Sequence, residues 1–185
     1  MLRYFESREA VLLDLLDAEI EEWPAELERA PVPGQGTPRE RGDHLADLLA
    51  TSMTRRPVLC DLPGAQGAVL EQKISTDVGI RHTRRAQQPL HALVGLVRGH
   101  LPELTAGEAA SLTETTLLLA MAAWQCSRPS PEMPAVHASD PMPAAMRPDF
   151  TDAVRRAVAV TASGLLARRQ GPHGLVSVAA HTVCP

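Results

Sequence analysis

Apolar residues recur along this chain at spacings of three and four, broken by proline and glycine, and that period predicts helices rather than strands. From Arg8 to Trp23 the apolar set is Val11, Leu12, Leu15, Leu16 and Ile20. Ser7 before it is a good N-cap, and Glu9 favours the positive end of the helix dipole. Pro24 is expected to end or kink this helix, because proline has no amide hydrogen to donate. Pro31 to Gly36 reads as a loop. Thr37-Pro38-Arg39-Glu40 then has the composition of a capping box with proline in the first turn. The helix it opens is expected to bury Leu45, Leu48, Leu49 and Met53 and to stop before Pro57. A shorter helical segment, interrupted by Pro63 and Gly64, is expected from about Val58 to Gln72.

Ser75 is the next expected cap. A long helix follows from Thr76 to about His100, kinked at Pro89, with Ile80, Ala86, Leu90, Leu93, Leu96 and Val97 as its apolar positions. Thr105-Ala106-Gly107-Glu108 is a second capping box. It opens a very apolar helix through Leu112, Leu117, Leu118, Leu119, Met121 and Trp124. Ser127 to Pro148, rich in proline, methionine and alanine, reads as a long crossover. The last helix runs from about Asp149 to Arg169, with Phe150, Val154, Ala157, Val158, Leu165 and Leu166 on its apolar side. Arg168 and Arg169 suit the negative end of its dipole. The fold expected is all-α, with about six helices.

Composition points the same way. Hydrophobic residues are 44% and aromatics only 3%, so the chain is rich in the helix formers Ala and Leu and poor in strand formers. Its 185 residues suffice for one domain with a full core. The formal net charge is −4, without the basic excess of a complete nucleic-acid-binding domain, which argues against the chain gripping DNA unaided. Cys60, Cys126 and Cys184 are odd in number and form no CxxC pair, so reduced thiols and a cytoplasmic location are expected. No apolar run reaches the roughly 20 residues that span a bilayer, and the start, MLRYFESREA, is charged where a signal peptide is apolar. There is no GxSxG, HExxH, phosphate-binding loop or dinucleotide fingerprint, so neither enzymatic activity nor a cofactor is expected. His82, His91 and His100 are spaced nine apart, which puts neighbours on opposite helix faces and argues against a shared metal ion.

The stretch Leu2-Arg3-Tyr4-Phe5-Glu6-Ser7-Arg8-Glu9-Ala10-Val11-Leu12 resembles the end of the DNA-binding region in TetR-family transcriptional regulators. The family's pattern there is an aromatic pair closing the recognition helix, a short turn with serine, a basic residue, a glutamate and a leucine-rich helix. Arg8 stands where the family usually has lysine. The resemblance implies a TetR-type C-terminal helical bundle dimerising through its last two helices. It divides the chain into a helix-turn-helix remnant over 1–7 and a ligand-binding and dimerisation domain over 8–170, with a flexible tail over 171–185. It also implies a three-helix reading head before Leu2. Met1 falls inside what would be the recognition helix, so it is expected to be a misplaced start or a boundary made by excision. Operator DNA is expected as a partner only where those helices are present. Carried over, Tyr4 and Arg8, with the amides following Ser7, would touch DNA phosphates, while Phe5 would pack.

A sensor pocket is expected among the middle helices, where bundles hold small molecules. Its candidate lining is Met53, Leu59, Cys60, Gln66, Leu70, His82, Leu90, Met121 and Trp124. His82, Gln66 and Trp124 stand out, because a polar group inside a bundle needs a partner; any one leucine or methionine also fits ordinary core. A two-fold homodimer interface is expected from Ala109, Leu112, Thr116, Ala120 and Ala123 with Val154, Ala157, Val158, Thr161 and Leu165. Burial of these residues within one subunit is the alternative. The leading functional expectation is a ligand-responsive repressor in which a small, hydrophobic effector shifts the tilt of the first helix. A dimeric ligand-binding module that never touches DNA is the alternative, and a helical-bundle enzyme is a weaker third.

Overall fold

A computed structural model describes residues 8–32, 36–62, 75–128 and 147–170. The expected remnant over 1–7, the part of the interrupted helix beyond 62, most of the crossover and the tail over 171–185 lie outside the described residues. Those residues form six helices and no strand. They are α1 (Arg8–Leu27), α2 (Pro38–Thr54), α3 (57–62), α4 (Thr76–His100), α5 (Ala106–Ser127) and α6 (Phe150–Gln170). The fold is all-α, and among the described residues no helix is long and apolar enough to cross a membrane.

The helix starts follow the sequence. Thr37 accepts from the Glu40 amide while the Glu40 carboxylate takes the Thr37 amide, and Thr105 and Glu108 do the same at α5. Ser75 caps α4, and the Asp149 carboxylate accepts from the Asp152 amide at 2.9 Å before α6. The Thr105 backbone and hydroxyl, then Arg169, hold the Glu108 carboxyl down to about 2. Because Arg169 Nη1 lies 2.6 Å from Glu108, the start of α5 is tied to the end of α6. Pro24 does not end α1, which continues to Leu27. An internal proline costs about 3 kcal/mol, but Trp23 and Leu27 are buried beside it, and each large apolar side chain contributes about 1.5–3 kcal/mol when buried. Burial wins. Likewise α4 runs unbroken through Pro89, itself buried.

The helices close a ring: α1 packs on α4, α4 on α5, α5 on α6, α6 on α2, and α2 returns to α1 and α4. The α2–α6 seam is close because its contact residues are small. Ala46, Ala50 and Ala162 are buried there, and a Cβ added at Gly42 would sit 3.8 Å from that of Ala162. The common core joins Leu45, Leu49 and Met53 to Leu93, Val97, Leu112, Val154 and Val158. Two expected registers are corrected. On α1 the buried face carries Leu13 and Leu16, whereas Val11 and Leu15 are exposed; on α4, Ile80 and Leu90 are exposed. Both helices have apolar residues on more than one face, and contact between α1 and α4 selects the face that turns inward.

Where α4 meets α5, Arg41 donates to the His100 carbonyl at 2.9 Å and pairs with Glu103. The His100 ring is fully buried, donates from Nδ1 to the Leu96 carbonyl at 3.0 Å and stacks on His44 with centroids 5.8 Å apart. Its Nε2 has no hydrogen-bond partner among the described residues. Burial chiefly, and His44 secondarily, lower its proton affinity below the ordinary histidine value, against the raising effect of the Leu96 carbonyl. The unfolded chain therefore binds this proton at a higher pH than the folded one. The contribution of His100 is complete above about pH 6.5 and is lost as pH falls toward the lowered folded value. Urea titrations are expected to show stability rising with pH through that window, and His100→Phe to flatten the rise; an unchanged slope in the variant would contradict this.

Candidate ligand cavity

Between α1 and α4, closed below by α2, α3 and α5, lies a cavity of about 230 Å³. Met53, Leu59, Cys60, His82, Leu90 and Met121, all expected from the sequence, lie on its wall. So do Leu16, Ile20, Trp23, Ala86, Pro89, Leu93 and Leu117, which were not singled out. Gln66 and Leu70 fall outside the described residues. Trp124 is not on this wall. Its indole N–H donates to Asp61 at 3.2 Å, Arg128 sits 4.8 Å over its ring, and Phe150 meets it edge-on at 5.0 Å. It joins α5 to α3 and α6 instead.

The wall is apolar almost throughout, and its polar atoms are placed by specific partners. The Trp23 indole donates to the Ser52 hydroxyl at 3.0 Å, and that hydroxyl donates to the Leu49 carbonyl at 2.9 Å. The Cys60 thiol faces the Met53 carbonyl at 3.8 Å. Burial first, then Asp61, push that thiol up to about 12. It therefore stays protonated at neutral pH, neither a nucleophile nor a ready metal ligand. His82 is held by Asp17, with Nδ1 at 2.5 Å from the carboxylate. Asp17 is only 4% exposed, and Arg85 meets its other oxygen at 3.2 Å. The contact with Asp17 is the first cause raising the proton affinity of Arg85. A signal for Asp17 was present in the sequence: a carboxylate in register with Leu13, Leu16 and Ile20 needs a partner inside the bundle.

At its other end α1 is clamped to the link between α2 and α3. Arg56 reaches Glu19 at 2.6 Å and Glu26 at 2.7 Å, and is itself largely covered. The hydrogen bond from Arg56 lowers the Glu26 carboxyl, against the raising effect of burial and with help from Arg55.

The expected dimer residues separate into two groups. Ala109, Leu112, Thr116, Ala120, Val154 and Val158 are buried within the chain itself, as in the alternative given for them. The Thr116 hydroxyl is satisfied by the Leu112 carbonyl at 2.8 Å. Ala123, Ala157, Thr161 and Leu165 are partly exposed. The outward faces of α5 and α6 carry Leu118 at 56% exposure, Leu119 at 42% and Val160 at 72%. Tyr4 and Ser7 lie outside the described residues, and Arg8 is the first residue of α1.

Fold and site together define an all-helical bundle built around an apolar cavity. The chain belongs to the family of tetracyclin repressor-like C-terminal domains, whose family model matches residues 17–169. The match takes in every described helix but the first turns of α1. Domains of this family are the ligand-binding part of regulators. No curated protein matches the chain.

Proposed function

We propose that this chain is the sensor and dimerisation domain of a cytoplasmic, ligand-responsive TetR-like repressor, and that its cavity takes a small hydrophobic molecule. The carrying observation is an apolar cavity against α1 in a chain of this family. Such concave, mostly apolar sites with few polar groups are where bundles hold small molecules. Leu16, Ile20 and Trp23 put α1 on the cavity wall, so a ligand that favours one setting of α1 shifts the population toward it. The start of α1 is where the family attaches its DNA-reading head. Tyr4, Ser7 and Arg8 are the proposed phosphate contacts when that head is present. Two chains pair through the outward faces of α5 and α6, with Leu118, Leu119 and Val160 at the centre and Ala123, Ala157, Thr161 and Leu165 beside them. The effector then alters the spacing of two heads related by the two-fold axis.

Thermal-shift screening of the 185-residue chain against apolar metabolites and drugs tests the sensor reading. A ligand at a hundred times its Kd stabilises by about 2.7 kcal/mol, roughly 5–10 °C for a domain of this size. Met121→Trp, which fills the cavity, is expected to abolish the shift for the same compounds. Shifts that persist undiminished in that variant would place the site elsewhere.

A further inference from the structure

Among the polar side-chain atoms on the cavity wall, one is left for a guest. The Trp23 indole is committed to Ser52 and the Cys60 thiol faces the Met53 carbonyl. Nδ1 of His82 is committed to Asp17, and among the described residues its Nε2 has no hydrogen-bond partner. Asp17 also fixes which ring nitrogen carries the hydrogen in the neutral imidazole. A carboxylate only accepts, so the hydrogen must sit on Nδ1. Arg85 lies on the second oxygen of Asp17, so with a neutral imidazole the three side chains around the buried Asp17 carboxylate carry no net charge. In that state Nε2 presents a lone pair.

We infer that the cavity takes a compact, mostly apolar molecule bearing one hydroxyl, which donates its hydrogen bond to Nε2 of His82. This rests on the reading of the cavity as the sensor site and names the chemistry it selects. A cavity of about 150 Å³ lined by apolar side chains holds benzene. One of about 230 Å³ corresponds to roughly nine heavy atoms on the same scale, so a compact substituted or fused ring system is at its upper limit. A charged guest is disfavoured, because no Lys, Arg, Asp or Glu is among the described residues on the wall, and Arg85, behind His82, is taken up by Asp17, Asp14 and Glu21. Asp17 and Arg85 act on the ligand only through His82 and are positioning residues. The bond also has a structural address: Asp17 is on α1 and His82 on α4, so a hydroxyl at Nε2 joins the contact that holds these two helices together.

The test compares 2-naphthol with 2-methylnaphthalene, which has the same shape with a methyl group in place of the hydroxyl. In a purely apolar cavity the methyl compound binds better, because burying an unpaired hydroxyl is costly. With an acceptor in place the order inverts. Titration calorimetry on the full chain is expected to give 2-naphthol the lower Kd by about tenfold, and His82→Leu to reverse the preference. If 2-methylnaphthalene binds the wild-type chain more tightly, or if the preference for 2-naphthol survives in His82→Leu, the inference falls while the cavity stands as a binding site. If neither compound binds and thermal-shift screening also finds no ligand, the sensor reading falls and takes the inference with it. The wild-type comparison decides the matter even where the variant folds poorly.

Discussion

Trp23→Ala is expected to lower the unfolding free energy by about 3–5 kcal/mol. Trp23 is 3% exposed, belongs to the central core and lies on the cavity wall. Truncation removes the largest apolar side chain of α1 and joins its vacated space to an existing void. Little of this can be recovered by collapse, because Leu49, Leu93 and Leu117 on the far side are fixed by their own helices. The lost hydrogen bond to Ser52 adds a smaller penalty, since that hydroxyl still donates to the Leu49 carbonyl. Trp23→Phe separates the two effects: it keeps most of the volume, loses the indole donor and should cost about 1 kcal/mol from the hydrogen bond. Urea unfolding followed by circular dichroism measures both. A loss below about 1 kcal/mol for the alanine variant would mean that Trp23 is not packed as described.

The second large effect is expected at the proposed two-fold interface. Leu118→Arg combined with Val160→Arg should convert a dimer to a monomer without unfolding it. Both side chains point away from the subunit's own core, so the ring of helices loses nothing it packs against. In a dimer each arginine would lie, unpaired, opposite apolar surface, and its symmetry mate would double the penalty. A rise in Kd of at least about a thousandfold corresponds to about 4 kcal/mol. Light scattering coupled to size-exclusion chromatography reads the mass directly, with circular dichroism as the check on folding. A wild-type chain already monomeric at high concentration, or a double variant that remains dimeric, would refute this interface.

The helix starts were legible in the sequence because capping is local. Thr37 with Glu40, and Thr105 with Glu108, bring together residues three apart, and the structure forms both boxes. The all-α class followed from period and composition for the same reason. Which face of a helix turns inward was less legible where more than one face is apolar. Leu117, Leu118, Leu119, Ala120 and Met121 surround α5, so periodicity could not tell that Leu112 and Ala120 face the core and Leu118 faces out. That ambiguity placed buried residues on the expected interface. At the cavity, His82 was identified as a polar group inside the bundle, but its partner Asp17 lies far away in sequence, and only the packing of α1 on α4 joins them. Trp124 carried the same signal and found its partner in Asp61 instead.

Pro24 and Pro89 each remove one rung from a helical ladder, leaving the Ile20 and Arg85 carbonyls without their usual amide donors. Ile20 and Pro89 both lie on the cavity wall. The two facing walls of the chamber therefore have their weakest joints at the height of the proposed guest. A helix lacking a rung flexes there at less cost than an intact one, so a molecule that fits imperfectly can be met by a slight hinging of the walls, while the bolted seam between α2 and α6 keeps its shape.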